Sequence, residues 1–122
     1  MSTAPAVSVE QRPDAVVVHV LVNDLDENNL VAVRRGIADA VKQSPSFPFI
    51  LDIGKVKFVP SLSLGALVRL VNEFRARRQR LVLVSLQPAV RQVIAITRLD
   101  RIMEIMDDVD AALRSVGAGV GG

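Results

Sequence analysis

Three short apolar runs punctuate the chain, AVVVHVLV (Ala15–Val22), FPFILDI (Phe47–Ile53) and LVLVSL (Leu81–Leu86), and a stretch of helical period separates each from the next. Runs this compact and rich in β-branched residues read as strands buried on at least one face. Two such strands joined by a helix pair in parallel through a right-handed crossover. The alternation therefore predicts an α/β domain.

The intervening segments supply the helices. Leu30, Val33, Ile37, Ala40 and Val41 recur at spacings of three and four, with Arg34, Arg35 and Asp39 between them. Asp26 followed by Glu27 is an N-cap with negative charge in the first turn, and SPSFP marks the end. From Ser61 the apolar positions Leu64, Leu67, Val68, Val71 and Phe74 repeat at helical spacing to about Gln79. Beyond Pro88 the same spacing returns at Val90, Val93, Ile94 and Ile96, before a short strand (IMEIM) and a last helix (DVDAALRSV). Val7 to Gln11 is expected to pair with the first apolar run through the turn RPD. The expected fold is one small α/β domain over residues 1–116, a mixed, mostly parallel sheet of four or five strands with helices packed mainly on one face. The Gly-rich tail, residues 117–122, is expected to be disordered.

A chain of 122 residues can bury about two thirds of its unfolded surface and fold without staples. With no cysteine there is no disulfide, thiolate nucleophile or Cys-type zinc site. No apolar run reaches the roughly 18 residues of a membrane span, and the first residues lack a secretion signal, so a cytoplasmic location without membrane insertion is expected. Fifteen basic against thirteen acidic residues leave a formal charge of +2. The one dense cluster, Arg75, Arg77, Arg78 and Arg80, falls at a helix end, where cations complement the dipole, and no flanking aromatics offer a stacking platform. No nucleic-acid partner is expected.

Catalytic constellations are missing. His19 is the only histidine and lies inside a Val-rich strand, on one face with Val17 and Leu21, where a structural or half-exposed role is expected rather than catalysis. Asp107, Asp108 and Asp110 open the last helix, where negative charge is favoured without a metal. There is no phosphate-binding Gly-rich loop. Neither enzyme activity, cofactor nor metal is expected.

Local sequence supplies what composition does not. Asn23, Asp24, Leu25 and Asp26 follow the second expected strand; Pro60, Ser61, Leu62, Ser63, Leu64 and Gly65 open a helix; TRLDRIMEIMDDVDAAL closes the chain. In this order, and with LDIGKVKFV and LVLVSLQPAVRQVI between them, these segments resemble the STAS domain of bacterial anti-sigma factor antagonists. That family tends to read Gly-x-Leu-Asp, Asp-Ser-Ser/Thr-Gly-Leu-Gly and Thr-Gly-Leu-Asp at the three places. Pro60 stands where the family has Asp, and Ser63 where it has Gly. The resemblance implies a STAS-like domain that binds an anti-sigma factor with serine kinase activity and is released by phosphorylation. Ser61 falls on the phospho-acceptor position, with Ser63 as second choice. The implied partner surface comprises Asp24, Asp26, Asn28, Val59, Pro60, Ser61, Leu62, Ser63 and Arg69; self-association stays open. The alternative is an unswitched interaction or scaffold module of the same fold, in a signalling assembly or a phospholipid-transport complex. On the residues alone, Ser61 would be a plain N-cap with Pro60 just outside the helix.

Overall fold

The computed structural model describes residues 5–121. In chain order its elements are β1 (Val7–Gln11), β2 (Val16–Val20), α1 (Glu27–Gln43), β3 (Phe49–Asp52), α2 (Ser61–Ala76), β4 (Leu81–Val84), α3 (Pro88–Ile96), a 3-10 turn (Leu99–Arg101), β5 (Glu104–Met106) and α4 (Val109–Gly121). The strands form one sheet in the order β1-β2-β3-β4-β5. β1 runs antiparallel to β2, and every other pair is parallel.

The central strands carry unbroken apolar runs because both of their faces are covered. Val16, Val18, Phe49, Leu51, Leu81 and Leu83 point into the larger core, which α1, α2 and α3 close with Ile37, Leu70, Phe74 and Ile94. Val17, Ile50, Val82 and Val84 face the other way and meet Ala112 and Val116 of α4. Three helices thus pack on one face and a single one on the other. At the centre of the larger core, the Phe49 and Phe74 rings meet edge to face with centroids 5.5 Å apart.

The three central strands are trimmed by one to three residues from the expected runs, α2 ends at Ala76 rather than near Gln79, and two further differences lie towards the end of the chain. α4 continues through the segment read as a disordered tail as far as Gly121, and Gly122 lies outside the described residues. Each added helical residue gains a hydrogen bond once a helix is nucleated, and a glycine weakens that gain by about 1 kcal/mol without abolishing it. The last strand is shorter than IMEIM, since Ile102 ends the 3-10 turn.

Arg98, between α3 and that turn, sits at φ 59°, in the left-handed region where a side chain is strained. Glycine would relieve the strain at some cost in unfolded-chain entropy. Arg98→Gly is expected to raise stability by up to about 1 kcal/mol, read as an upward shift of the urea midpoint.

Candidate functional site

The loops after β2 and β3 meet at the carboxyl ends of the parallel strands, as expected for connections on one side of a parallel sheet. They are stitched together by backbone. Asp24 forms a parallel bridge with Phe58. The Leu25 N–H donates to the Phe58 carbonyl at 3.1 Å, and the Lys57 N–H to the Asn23 carbonyl at 2.7 Å. Leu25 is fully buried beneath this seam. Asp26 caps α1, its carboxylate accepting from the Asn29 N–H at 2.9 Å, while the Asn29 side chain donates to the Asp24 carbonyl at 2.8 Å. Among the described residues, Asp24 Oδ1 is a buried side-chain oxygen with no hydrogen-bond partner.

The start of α2 departs from the plain-cap reading of Ser61. Pro60 itself takes the N-cap position at φ −60° and ψ 156°, and no side chain caps the helix. The proline ring fixes φ near this value and needs no hydrogen bond for its missing N–H, so the chain enters the helix one residue earlier than a serine cap would allow. The Pro60 carbonyl accepts the first helical bonds, from Ser63 N–H at 2.9 Å and Leu64 N–H at 3.2 Å. Ser61 is therefore the first helical residue and is exposed, among N–H groups that a helix start leaves unpaired.

The two candidate serines have opposite surroundings. Ser63 is 1% exposed, and its hydroxyl donates to the Leu25 carbonyl, tying α2 to the loop before α1. A kinase could reach it only by unwinding the first turn. A glycine in its place could make no such bond. Val59 is likewise buried and supports the junction from below. Leu62 is 73% exposed and Phe58 58% exposed, so apolar side chains flank Ser61 on the open surface. Asp26, Asn28 and Arg69 are exposed, and Asn28, Ser61, Leu62 and Arg69 line one hollow of about 610 Å³ between α1 and α2. Phe58 and Val31, the latter also 58% exposed, are absent from the residues named from the sequence. Val31 had a readable signal, since it lies off the stripe of Leu30, Val33 and Ile37; Phe58 had none, sitting between exposed Lys57 and buried Val59.

His19, the one histidine of the sequence, lies away from this site. His19 points to the opposite face of the sheet, with Val17, where its Nδ1 lies 2.8 Å from Asp52 Oδ2 and its Nε2 3.1 Å from Glu10 Oε1. Glu10 also accepts from Arg12 at 2.8 Å, and Lys55 lines the hollow beside His19. Burial alone would lower the imidazole pKa, but the hydrogen bonds and charges of the two carboxylates outweigh it and raise it. Glu10 is held below the usual carboxylate range, first by Arg12 and then by His19. The stabilisation from a raised histidine is fully present below its ordinary value of 6.5 and is lost as pH rises through the folded value. That from Glu10 is present above its ordinary 4.5 and is lost as pH falls through the lowered one. The cluster therefore stabilises most between about pH 4.5 and 6.5. Wild type is expected to exceed His19→Gln in urea midpoint at pH 5.5 by a margin that shrinks towards pH 8.5; a constant margin would contradict this.

The arginine cluster is dispersed. Arg77 stacks 4.6 Å from the Phe74 ring centroid, and Arg80 donates from Nε and Nη2 to the two carboxylate oxygens of Glu104, while Nη2 also donates to Ser115 at 2.7 Å. Asp108 caps α4, accepting from the Ala111 N–H at 2.8 Å. Among the described residues no three His, Asp or Glu groups are placed to hold a metal, and no helix is long and apolar enough to cross a membrane.

Comparison with known proteins places this geometry in context. The family model described as the STAS domain matches residues 6–112. A Thermotoga maritima protein named as a candidate anti-sigma factor antagonist is 26% identical over 103 residues, covering 84% of this chain and 91% of the relative. The crystal structure of an anti-sigma factor antagonist from Mycobacterium paratuberculosis is 26% identical with a TM-score of 0.76, covering 94% of this chain and 98% of that one. The anti-sigma factor antagonist SpoIIAA in its unphosphorylated form is 25% identical with a TM-score of 0.70, covering 92% and 97%.

Proposed function

This chain belongs to the STAS domain family, and we propose that it is a cytoplasmic anti-sigma factor antagonist, which binds an anti-sigma factor with serine kinase activity and lets go when that kinase phosphorylates Ser61. The observation that carries the reading is the exposure of Ser61 on the first turn of α2 between exposed Phe58 and Leu62. A hydroxyl so placed can enter a kinase without unwinding the helix, and its apolar neighbours offer the partner contact area. The chemistry belongs to the partner; this chain contributes the hydroxyl and the surface.

Phosphorylation adds about −1.5 to −2 charges. At a helix start the unpaired N–H groups tolerate the phosphate, so the domain stays folded. Across an apolar contact the same charge must be desolvated, and the complex separates.

Pro60 favours a second reading, an unswitched module of the same fold, because it brings neither the carboxylate nor the backbone N–H that the resemblance leads one to expect beside the acceptor. One experiment separates the two. The tagged chain is purified from the cells that encode it, its partners are identified, and its phosphorylation sites are mapped by mass spectrometry after incubation of the captured complex with ATP. The switched reading predicts a kinase among the partners and phosphate on Ser61. A stable complex in which ATP labels no serine supports the module instead.

A further inference from the structure

One edge of the sheet is left open. β1 pairs only with β2, in the continuous register that runs from Val7 opposite Val20 to Gln11 opposite Val16. The Leu21 N–H donates to the Ala6 carbonyl at 2.8 Å and the Arg12 N–H to the Ala15 carbonyl at 2.9 Å, so Ala6 and Arg12 turn their backbone groups towards β2. Antiparallel pairs alternate, so Ser8 and Glu10 do the same, and the N–H and C=O groups of Val7, Val9 and Gln11 point away from the sheet. Among the described residues no strand lies on that side. Proteins guard such an edge with bulges, lysines or internal prolines, and β1, with the sequence VSVEQ, has none of these. It is held in place from one face: Gly36 lets α1 lie directly on Val7, and Gln11 Oε1 accepts from the Ser44 hydroxyl at 3.1 Å. Val9 between them stays 48% exposed. The opposite edge, β5, is only three residues long.

We propose that β1 pairs antiparallel with β1 of a second copy about a two-fold axis at Val9, joining the two five-stranded sheets edge to edge. The row of open groups is symmetric about that residue. Val7 and Gln11 lie two positions to either side, and Pro5 and Pro13, four positions to either side, have no N–H and end the row. Val9 then exchanges both hydrogen bonds with Val9 of the second copy, and Val7 does so with Gln11 of the second copy, so every open donor meets an open acceptor. The two Val9 side chains leave water together at the axis. On the other face Glu10 falls opposite Ser8 of the second copy, and its charge is already engaged by Arg12 and His19, so no like charges stand directly opposed. An extended segment of another protein can use the same donors, but a self-complementary patch is what a two-fold interface requires. Because the paired β1 strands run in opposite directions, the carboxyl ends of β2 and β3 point opposite ways in the two copies, and both Ser61 sites stay open. The pairing is independent of the switch at Ser61, and either can fail alone.

Sedimentation equilibrium of the full chain, with amide exchange followed by NMR, tests it. Wild type should form a reversible dimer with a Kd of about 100 μM or tighter. Exchange at Val7, Val9 and Gln11 should slow as concentration rises, while Ser8 and Glu10 stay protected throughout. Val9→Pro removes an N–H that the free domain does not use, and Val9→Lys sets two ammonium groups together at the axis; each should weaken the dimer by at least about tenfold while thermal melts show a folded monomer. Ile96→Lys, at an exposed position on α3, should leave the dimer intact. A weaker Kd for wild type, a dimer in which Val7, Val9 and Gln11 exchange freely, dimerisation indifferent to Val9→Lys, or a dimer lost with Ile96→Lys would overturn the proposal.

Discussion

Ser61→Asp is expected to weaken capture of the cognate partner by more than about 100-fold, while Ser61→Ala stays within about threefold of wild type. The first figure follows from desolvating a carboxylate against the apolar surface of Phe58 and Leu62, which costs several kcal/mol where no new cation meets it. At 1.4 kcal/mol per decade, about 3 kcal/mol suffices for two decades. The second follows from exposure, since the Ser61 hydroxyl lies on the open surface in the free domain. Loss of fold cannot explain such a result. The first turn of α2 contains no acidic residue, so an aspartate there meets the positive end of the helix dipole and should hold or slightly raise stability. Surface-immobilised binding with matched thermal melts of the three proteins checks both halves.

Phe74→Ala should cost about 3–5 kcal/mol. The ring is 1% exposed, lies edge to face with Phe49 and carries the Arg77 guanidinium on its face. Truncation leaves a cavity among aliphatic side chains that cannot collapse without moving α2 off the sheet, and it removes the aromatic pair as well. For a domain whose total stability is of the order of 5–15 kcal/mol, that is a large share. Urea unfolding should show a lower midpoint with an unchanged slope. A loss below about 1 kcal/mol would mean that α2 is not held by this contact.

The sheet and the order of helices were legible because they rest on local signals. β-branched runs, helical spacing and the Asp26 cap each act over a few residues. The site was legible only in part, because its exposures depend on contacts between distant segments. Nothing local distinguishes Ser61 from Ser63; the difference arises when Leu25, 38 residues earlier, presents its carbonyl to the Ser63 hydroxyl. The Glu10–His19–Asp52 cluster is likewise a product of strand register, which sets Asp52 beside His19 across the sheet. Pro60 read as punctuation before a serine cap, whereas its fixed φ makes it the cap and moves Ser61 into the helix. Arg98 filled a place where the STAS resemblance suggests glycine, and its left-handed backbone shows why glycine suits that turn.

The central claim is that the charge state of one exposed hydroxyl governs binding. Its most direct test is the dissociation constant of the captured partner for the chain carrying phosphoserine at position 61, installed during synthesis, against the unmodified chain. Affinity is expected to fall by more than about 100-fold with the domain still folded; equal affinity for the two would contradict the switch.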